Sequence, residues 1–170
     1  MPTQQARSLD VMGWSDWDFQ GIPLNKNGQE IIIPSTTKLV GFDYYEHPGD
    51  AMSNIRLVYL EGTDEKVTPY SGDIYGGEII DRKNFPEDPT LKVVGVNTRI
   101  LYGYSMSDIQ FIYTYGNSDQ YTATTDWCRP YWTYNESYSL RASPGWVLDG
   151  IQVGIAYGDA VAAVKIHTRQ

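Results

Sequence analysis

Few side chains in this sequence could do chemistry by type and spacing alone. Asp16 and Asp18 stand two apart in Ser15-Asp16-Trp17-Asp18 and could form an acid pair for glycoside hydrolysis. Without a fold that aims both at one bond, they read as exposed loop charges. His47 and His167 have no second histidine or acidic partner at metal-ligand spacing, so no metal site is expected. Cys128, between Trp127 and Arg129, has no histidine near it in sequence and reads as a buried thiol. There is no Ser–His–Asp order and no phosphate-cradling loop, so nothing points to an enzyme or to a cofactor. The run Trp127-Cys128-Arg129-Pro130-Tyr131-Trp132-Thr133-Tyr134 could serve as a stacking platform. Its composition predicts instead a strand with one aromatic face packed inward.

Composition narrows the partners. The chain of 170 residues fits one domain able to bury a core without staples. Its 14 Tyr and 5 Trp against 4 Phe favour rings with a polar tip, suited to half-exposed strands and wet concave sites. The net charge is −8 and the 13 Lys and Arg are scattered singly. Nucleic acid, which needs a positive stripe to replace phosphate counterions, is therefore excluded as a partner. An anionic membrane surface is disfavoured for the same reason, while a neutral ligand such as a sugar meets no objection. No apolar run approaches the length of a membrane span, so no membrane insertion is expected. One cysteine allows no internal disulfide, and the stretch from Met1 to Asp10 holds no signal-like apolar run. The expectation is a cytoplasmic protein or one exported without a classical signal peptide. The sequon Asn135-Glu136-Ser137 matters only if the chain is secreted.

The elements that must position any site are strands. After a polar, frayed stretch at 1–8, short β-branched or aromatic runs alternate with Gly and Pro. They include 30–33, 55–60, 92–96, 108–115, 131–134 and 151–157. No stretch of helical period escapes Gly or Pro, and 160–166 fits a closing strand at least as well as a short helix. The class is all-β. Ser35–Gly62 lies over Pro89–Gly116 without a gap, with identities that include Gly41/Gly95, Gly49/Gly103, Met52/Met106 and Ile55/Ile109. A further shift sets Gly103 on Gly145, Met106 on Leu148 and Ile109 on Ile151, which predicts a third unit at 140–158. In all three, two equally spaced glycines bracket an alternating strand: Gly49 and Gly62, Gly103 and Gly116, Gly145 and Gly158.

The last of these units, Ser143-Pro144-Gly145-Trp146-Val147-Leu148-Asp149-Gly150-Ile151, resembles the closing segment of the jacalin-related lectins, which carry a Gly-x-x-x-Asp loop leading into a strand. The resemblance covers about half the chain. It implies a β-prism of three antiparallel Greek-key sheets with internal pseudo-threefold symmetry, and a metal-independent sugar site. In such a site Asp149 would accept from two neighbouring sugar hydroxyls. Backbone N–H groups of Trp146 and Val147 would donate to the same oxygens, Gly145 would let the backbone come close, and the Trp146 ring would face the sugar. Asp149 could instead brace a tight loop. The units at Gly49-Asp50-Ala51-Met52-Ser53-Asn54 and Gly103-Tyr104-Ser105-Met106-Ser107-Asp108 put Ser53 and Ser107 where the third has Asp149, so they imply silent sites unless Asn54 or Asp108 substitutes. The family's glycine-rich loop near the N-terminus is represented only by Gly13; the pair Gly76-Gly77 lies beside a unit without the aspartate. The uncut chain leans toward mannose or glucose. Glycans or glycoproteins are the implied partners, with self-association possible. A structural, defence or toxin-component protein on the same scaffold is the alternative. The tail 159–170 has no place in this alignment.

Overall fold

The computed structural model describes residues 10–46, 52–72, 79–101, 105–116, 122–158 and 160–170, with the side chains of 10, 79, 80 and 107 not described. His47, Gly49, Gly76, Gly77, Gly103 and the stretch 1–8 lie outside the described residues. The described residues are strands and loops: β1 (Asp10–Val11), β2 (Gly13–Trp14), β3 (Lys26–Asn27), β4 (Ile31–Ile32), β5 (Lys38–Glu46), β6 (Met52–Glu61), β7 (Asp64–Val67), β8 (Ile79–Asn84), β9 (Leu91–Leu101), β10 (Ser105–Tyr115), β11 (Thr122–Thr124), β12 (Glu136–Ala142), β13 (Val147–Ala156) and β14 (Ala160–Arg169). They form three sheets. Sheet C runs β7-β6-β5-β8, sheet A runs β1-β12-β9-β10-β11, and sheet B runs β2-β14-β13 with β3 and β4 both on β13. Each sheet is built on one long antiparallel hairpin, β5–β6, β9–β10 or β13–β14. The crossing strands of the prism pair with the first strand of each hairpin: β4 with β13, β8 with β5 and β12 with β9. The result is an all-β prism of Greek-key sheets.

Alternation along the hairpins builds the shared core. Met52, Ile55, Leu57, Met106, Ile109, Phe111, Ile151, Val153, Val164 and Ile166 are all fully buried, and Phe42 stacks on Phe111 with ring centroids 4.3 Å apart. The tail is a core element. β14 pairs along the whole of β13, and Val161, Val164 and Ile166 face inward as a closing strand. Sheet B thus joins both parts of the chain, with β2, β3 and β4 from before Pro34 and β13 and β14 from after Trp146.

Register identifies the equivalent positions. Gly41, Gly95 and Gly150 each sit at a bulge in the first hairpin strand, opposite Val58, Ile112 and His167. At each, the crossing strand comes so close that an added Cβ would meet a carbonyl oxygen, of Lys83 at 2.7 Å, Leu140 at 2.3 Å or Ile31 at 2.6 Å. Ahead of each of these glycines, at the same remove, stands a turn with an equivalent closing hydrogen bond. It is closed by Thr37 N–H to Pro34 O, Leu91 N–H to Asp88 O and Trp146 N–H to Ser143 O. The first two turns therefore stand at the offset that the sequence alignment predicts. The third begins at Ser143, the counterpart of Pro34 and Asp88, which shifts the third unit out of its predicted alignment. Gly145 is equivalent to Thr36 and Thr90 in these turns, not to Gly49 and Gly103. The shared glycine spacing recurs because strands of similar length, β6, β10 and β13, each precede a glycine-bearing turn, a coincidence of length and not of position. A second correction falls at Tyr131–Tyr134, which forms a turn and loop instead of a strand, with Pro130 at its start and Arg129 fully buried beneath it.

A second set of equivalences ties the sheets together. Thr68, Thr125 and Ser15 each accept, through the hydroxyl, from an amide of the second hairpin strand (Leu57, Phe111, Ile166). Three positions on, Ser71, Cys128 and Asp18 donate N–H to Ile55, Ile109 and Val164 carbonyls. Those same three residues reach the neighbouring sheet: Val153 N–H donates to Ser71 Oγ at 3.0 Å, Tyr44 OH to Cys128 O at 3.0 Å and Thr98 Oγ1 to Asp18 Oδ2 at 2.6 Å. Val153, Tyr44 and Thr98 each lie three positions after the bulge glycine, so the three bonds close a ring around the pseudo-threefold axis.

The bulge glycines give a direct check. Gly95→Ala drives a methyl into the Leu140 carbonyl and should lower unfolding free energy by about 2–4 kcal/mol in urea denaturation. Gly62→Ala, at φ +64° with open space around it, should cost only about 1–2 kcal/mol.

Candidate functional site

The Gly145 loop lies where β12 hands over to β13. Gly145 occupies the left-handed region at φ +82° with nothing near its missing side chain, so the turn requires glycine for its backbone, not for space. The Trp146 N–H is used inside the turn, donating to Ser143 O at 2.8 Å, and so is not offered to a ligand. Trp146 and Val147 are half-buried. The bulge then places both Asp149 and Gly150 opposite His167. Asp149 is fixed at its backbone, where its carbonyl accepts from Ile33 N–H at 2.9 Å.

The Asp149 carboxylate is 4% exposed. Its Oδ1 lies 2.6 Å from His167 Nδ1, and Arg169 Nε stands 4.0 Å from Oδ2. Arg169 is anchored in turn, its Nη1 and Nη2 donating to Pro34 O and Thr37 O at 3.1 and 2.7 Å. The His167 ring sits edge-on to Trp14, with centroids 5.0 Å apart. Gly13, at φ +76°, pairs with Thr168, and Thr168 pairs with Leu148. Gly13, Gly145, Trp146, Val147 and Asp149 are thus gathered at one end of sheet B, across three adjacent strands. The Asp149 carboxylate is enclosed at that end, with the His167 imidazole at Oδ1 and the Arg169 guanidinium beyond Oδ2.

His167, Arg169 and Trp14 belong to this end of the sheet and were not singled out as site residues from sequence. The pairing of Asp149 with His167 links positions 18 apart across a hairpin, a separation unlike any metal or helical spacing. Once the tail is a strand beside β13, the mirror relation of the two positions follows.

The positions set beside Asp149 in the other units are built for another purpose. Ser53 and Asn54 are fully buried, and Asn54 Oδ1 accepts from Ile55 N–H at 3.0 Å and Gly72 N–H at 2.6 Å. Asp108 Oδ1 accepts from Ile109 and Arg129 N–H, both at 2.8 Å. Both side chains pin the connecting loop to the second hairpin strand. Of Ser107 only the backbone, in β10, is described. The true equivalents of Asp149 are Val40 and Val94. Asp16 is exposed as expected; Asp18 is not, being buried in the ring with Oδ1 on Val164 N–H at 2.8 Å and Oδ2 on Thr98. The two carboxylates do not form an acid pair. Cys128 is buried, and that burial pushes its thiol well up. Among the described residues no group of three His, Cys, Asp or Glu could hold a metal ion. Among the described residues no helix is long and apolar enough to cross a membrane.

Solved structures share this architecture. Frutalin from Artocarpus incisa superposes with a TM-score of 0.58 at 12% identity, covering 98% of this chain and 100% of its own. Artocarpin, a lectin with mannose specificity, gives 0.59 at 12% identity over 94% and 99%. A mannose-specific jacalin-related lectin from Morus nigra, solved with mannose, gives 0.52 at 15% identity over 100% and 99%. The fold is the β-prism of the jacalin-related lectins. A galactose-specific lectin from Artocarpus hirsuta shares it, at 0.53 and 13% identity over 84% and 100%. No family model matches the sequence, and no curated protein matches it.

Two buried carboxylates set a pH dependence. Burial pushes Asp18 up to about 6, against the lowering hydrogen bonds from Thr98 and Val164. It likewise pushes Asp108 up to about 6, against the N–H groups of Arg129 and Ile109. The folded chain therefore holds these protons more tightly than the unfolded chain, whose carboxyls titrate near 4. Stability from this source is complete below about pH 4 and is lost as pH rises through 6. Asp43 works oppositely: burial raises it, but hydrogen bonds from Arg82 and Arg56 outweigh burial and hold it lowered, so its contribution is lost only as pH falls below 4. Thermal unfolding should accordingly show greater stability at pH 5 than at pH 7.5, by on the order of 1–3 kcal/mol. Asp108→Asn should flatten that slope, and an unchanged slope in Asp18→Asn and Asp108→Asn would assign it elsewhere.

Proposed function

We propose that this protein is a metal-independent, non-enzymatic carbohydrate-binding protein that takes mannose- or glucose-type glycans at the Gly145–Asp149 end of sheet B. The observation that carries the reading is the assembly of Gly13 and the Gly145–Asp149 turn side by side on a jacalin-type prism, although they come from distant parts of the sequence. The half-buried Trp146 supplies an apolar face for a sugar ring. The part-exposed His167 is the group that must yield: its side chain is 22% accessible, and moving it frees Asp149 Oδ1 to accept from a hydroxyl. The mannose-specific and galactose-specific neighbours share the scaffold, so loop chemistry, not the fold, sets the sugar. With one such loop per chain, cross-linking of glycans would require self-association.

A second reading has an observation of its own. Because Asp149 is enclosed and paired with His167, the same residues suit a prism that has kept its brace and has no sugar specificity, serving in structure or defence. A glycan array followed by calorimetric titration separates the two. On the lectin reading wild type binds mannose- or glucose-type glycans, Asp149→Ala loses at least about tenfold in affinity, or about 1.4 kcal/mol, and His167→Ala retains or gains affinity. Wild type that binds no glycan across a broad array leaves the bracing reading standing.

A further inference from the structure

The three corners of the prism are not alike. Between sheets B and C the corner is stitched by Gln29 N–H to Ser71 O at 2.7 Å and Ser71 Oγ to Gln29 O at 2.6 Å. Between A and B it is covered by the N-terminal segment, which pairs with β12 as β1 and with β14 as β2, and whose Val11 carbonyl accepts from both Ser143 N–H and Thr168 Oγ1. At the A/C corner Tyr44 OH, Glu46, Arg129 and Tyr131 join the sheets further in, but the edge strands β8 and β11 are not paired with each other, and residues of both line an open groove. A groove of 590 Å³ opens there, with an adjoining lobe of 220 Å³ that shares Lys83, Thr124, Thr125 and Asp126.

The geometry points to this groove as a second binding site, separate from the Gly145 loop, for a neutral oligosaccharide. Its volume lies in the range of about 300–1,000 Å³ typical of ligand sites. Trp127 lines it, and the guanidinium of Arg99 lies 3.7 Å from that ring's centroid, which holds the indole in place. Such a fixed ring costs little ordering entropy when a sugar packs on it. Around it stand an ammonium, a carboxylate, hydroxyls and an amide: Lys83, Asp126, Thr124, Asn84. The lining carries one charge of each sign, which favours no ionic ligand. It also offers few aliphatic side chains to anchor a peptide strand laid along the open edges, so hydroxyl-rich chemistry fits better than β-strand addition.

The test uses the full chain labelled with nitrogen-15 and titrated with maltotriose and with mannotriose. The inference expects saturable shifts of the amides at 83–84 and 124–127 that persist in Asp149→Ala. They should weaken at least tenfold in Trp127→Ala and in Asp126→Ala, the latter an exposed substitution that leaves the strands untouched. Absence of groove shifts with both trisaccharides, or their disappearance in Asp149→Ala, overturns the second site. Groove shifts produced by an extended peptide and by neither sugar overturn it equally. Because the two loops report separately, loss of shifts at 145–149 alone counts against the site at sheet B and leaves the groove standing.

Discussion

Three hydrogen bonds that pass from sheet to sheet, Asp18 to Thr98, Cys128 to Tyr44 and Ser71 to Val153, hold the prism closed. Each sheet alone has an apolar inner face and at least one very short edge strand, β2, β7 or β11, too little to stand in water. The inner faces meet without direction, since hydrophobic burial does not specify rotation about the axis. The ring supplies that specificity. In every unit a loop residue satisfies the exposed edge of the second hairpin strand with its N–H, then reaches the next sheet with its side chain or carbonyl. Backbone amides that would otherwise be buried without partners are thereby paired, and the three sheets are fixed relative to one another.

The same ring explains why charge is buried in a protein with an ample apolar core. Asp18 does the work that a serine hydroxyl and a peptide carbonyl do in the other units, at the expense of a carboxylate held out of water. Near the hairpin tip of sheet C a second pair departs from symmetry. Glu46 stands where the other sheets place Ile100 and Ile155, and its Oε2 lies 2.6 Å from Nε of the fully buried Arg129. Tyr131 OH closes on both Glu46 oxygens at 2.6 and 2.9 Å, so a ring that is largely exposed is nonetheless fixed at its tip. A buried ion pair of this kind seldom adds net stability over an apolar pair, and its value lies in holding one loop in one arrangement.

The fold was legible because the first two units share both spacing and inward-facing residues: Gly41 with Gly95, Met52 with Met106, Ile55 with Ile109. The third unit hid for a physical reason. Its second strand, β14, keeps only inward apolar character, as Val161, Val164 and Ile166, while its edge strands come from the other end of the chain. With no contiguous copy to match, the glycine spacing drew the alignment to β13 in the place of β10. The aromatic run at 127–134 misled in a similar way. Its β-prone composition gives way to Pro130 and to a buried arginine that only a loop can aim inward. At the Gly145 end the aspartate could be read but its partner could not, because pairing across a hairpin is set by register and register was unknown.

Correct register changes what Asp149 signifies. At its position the other sheets carry Val40 and Val94; opposite it, where sheet B has His167, they carry Val58 and Ile112; and where it has Arg169 they carry Leu60 and Thr114. Three positions in register differ together on one sheet end, where a mostly apolar set gives way to a carboxylate, an imidazole and a guanidinium. The scaffold does not require this, since Gly41 and Gly95 hold the same bulge between apolar neighbours. A brace alone would gain little from replacing aliphatic contacts by a carboxylate kept from water, which costs free energy even when paired. The concentration of polar groups at a single one of three equivalent ends, beside the one turn that carries glycine in the left-handed region at that position, is the departure from symmetry on which the proposed sugar site rests.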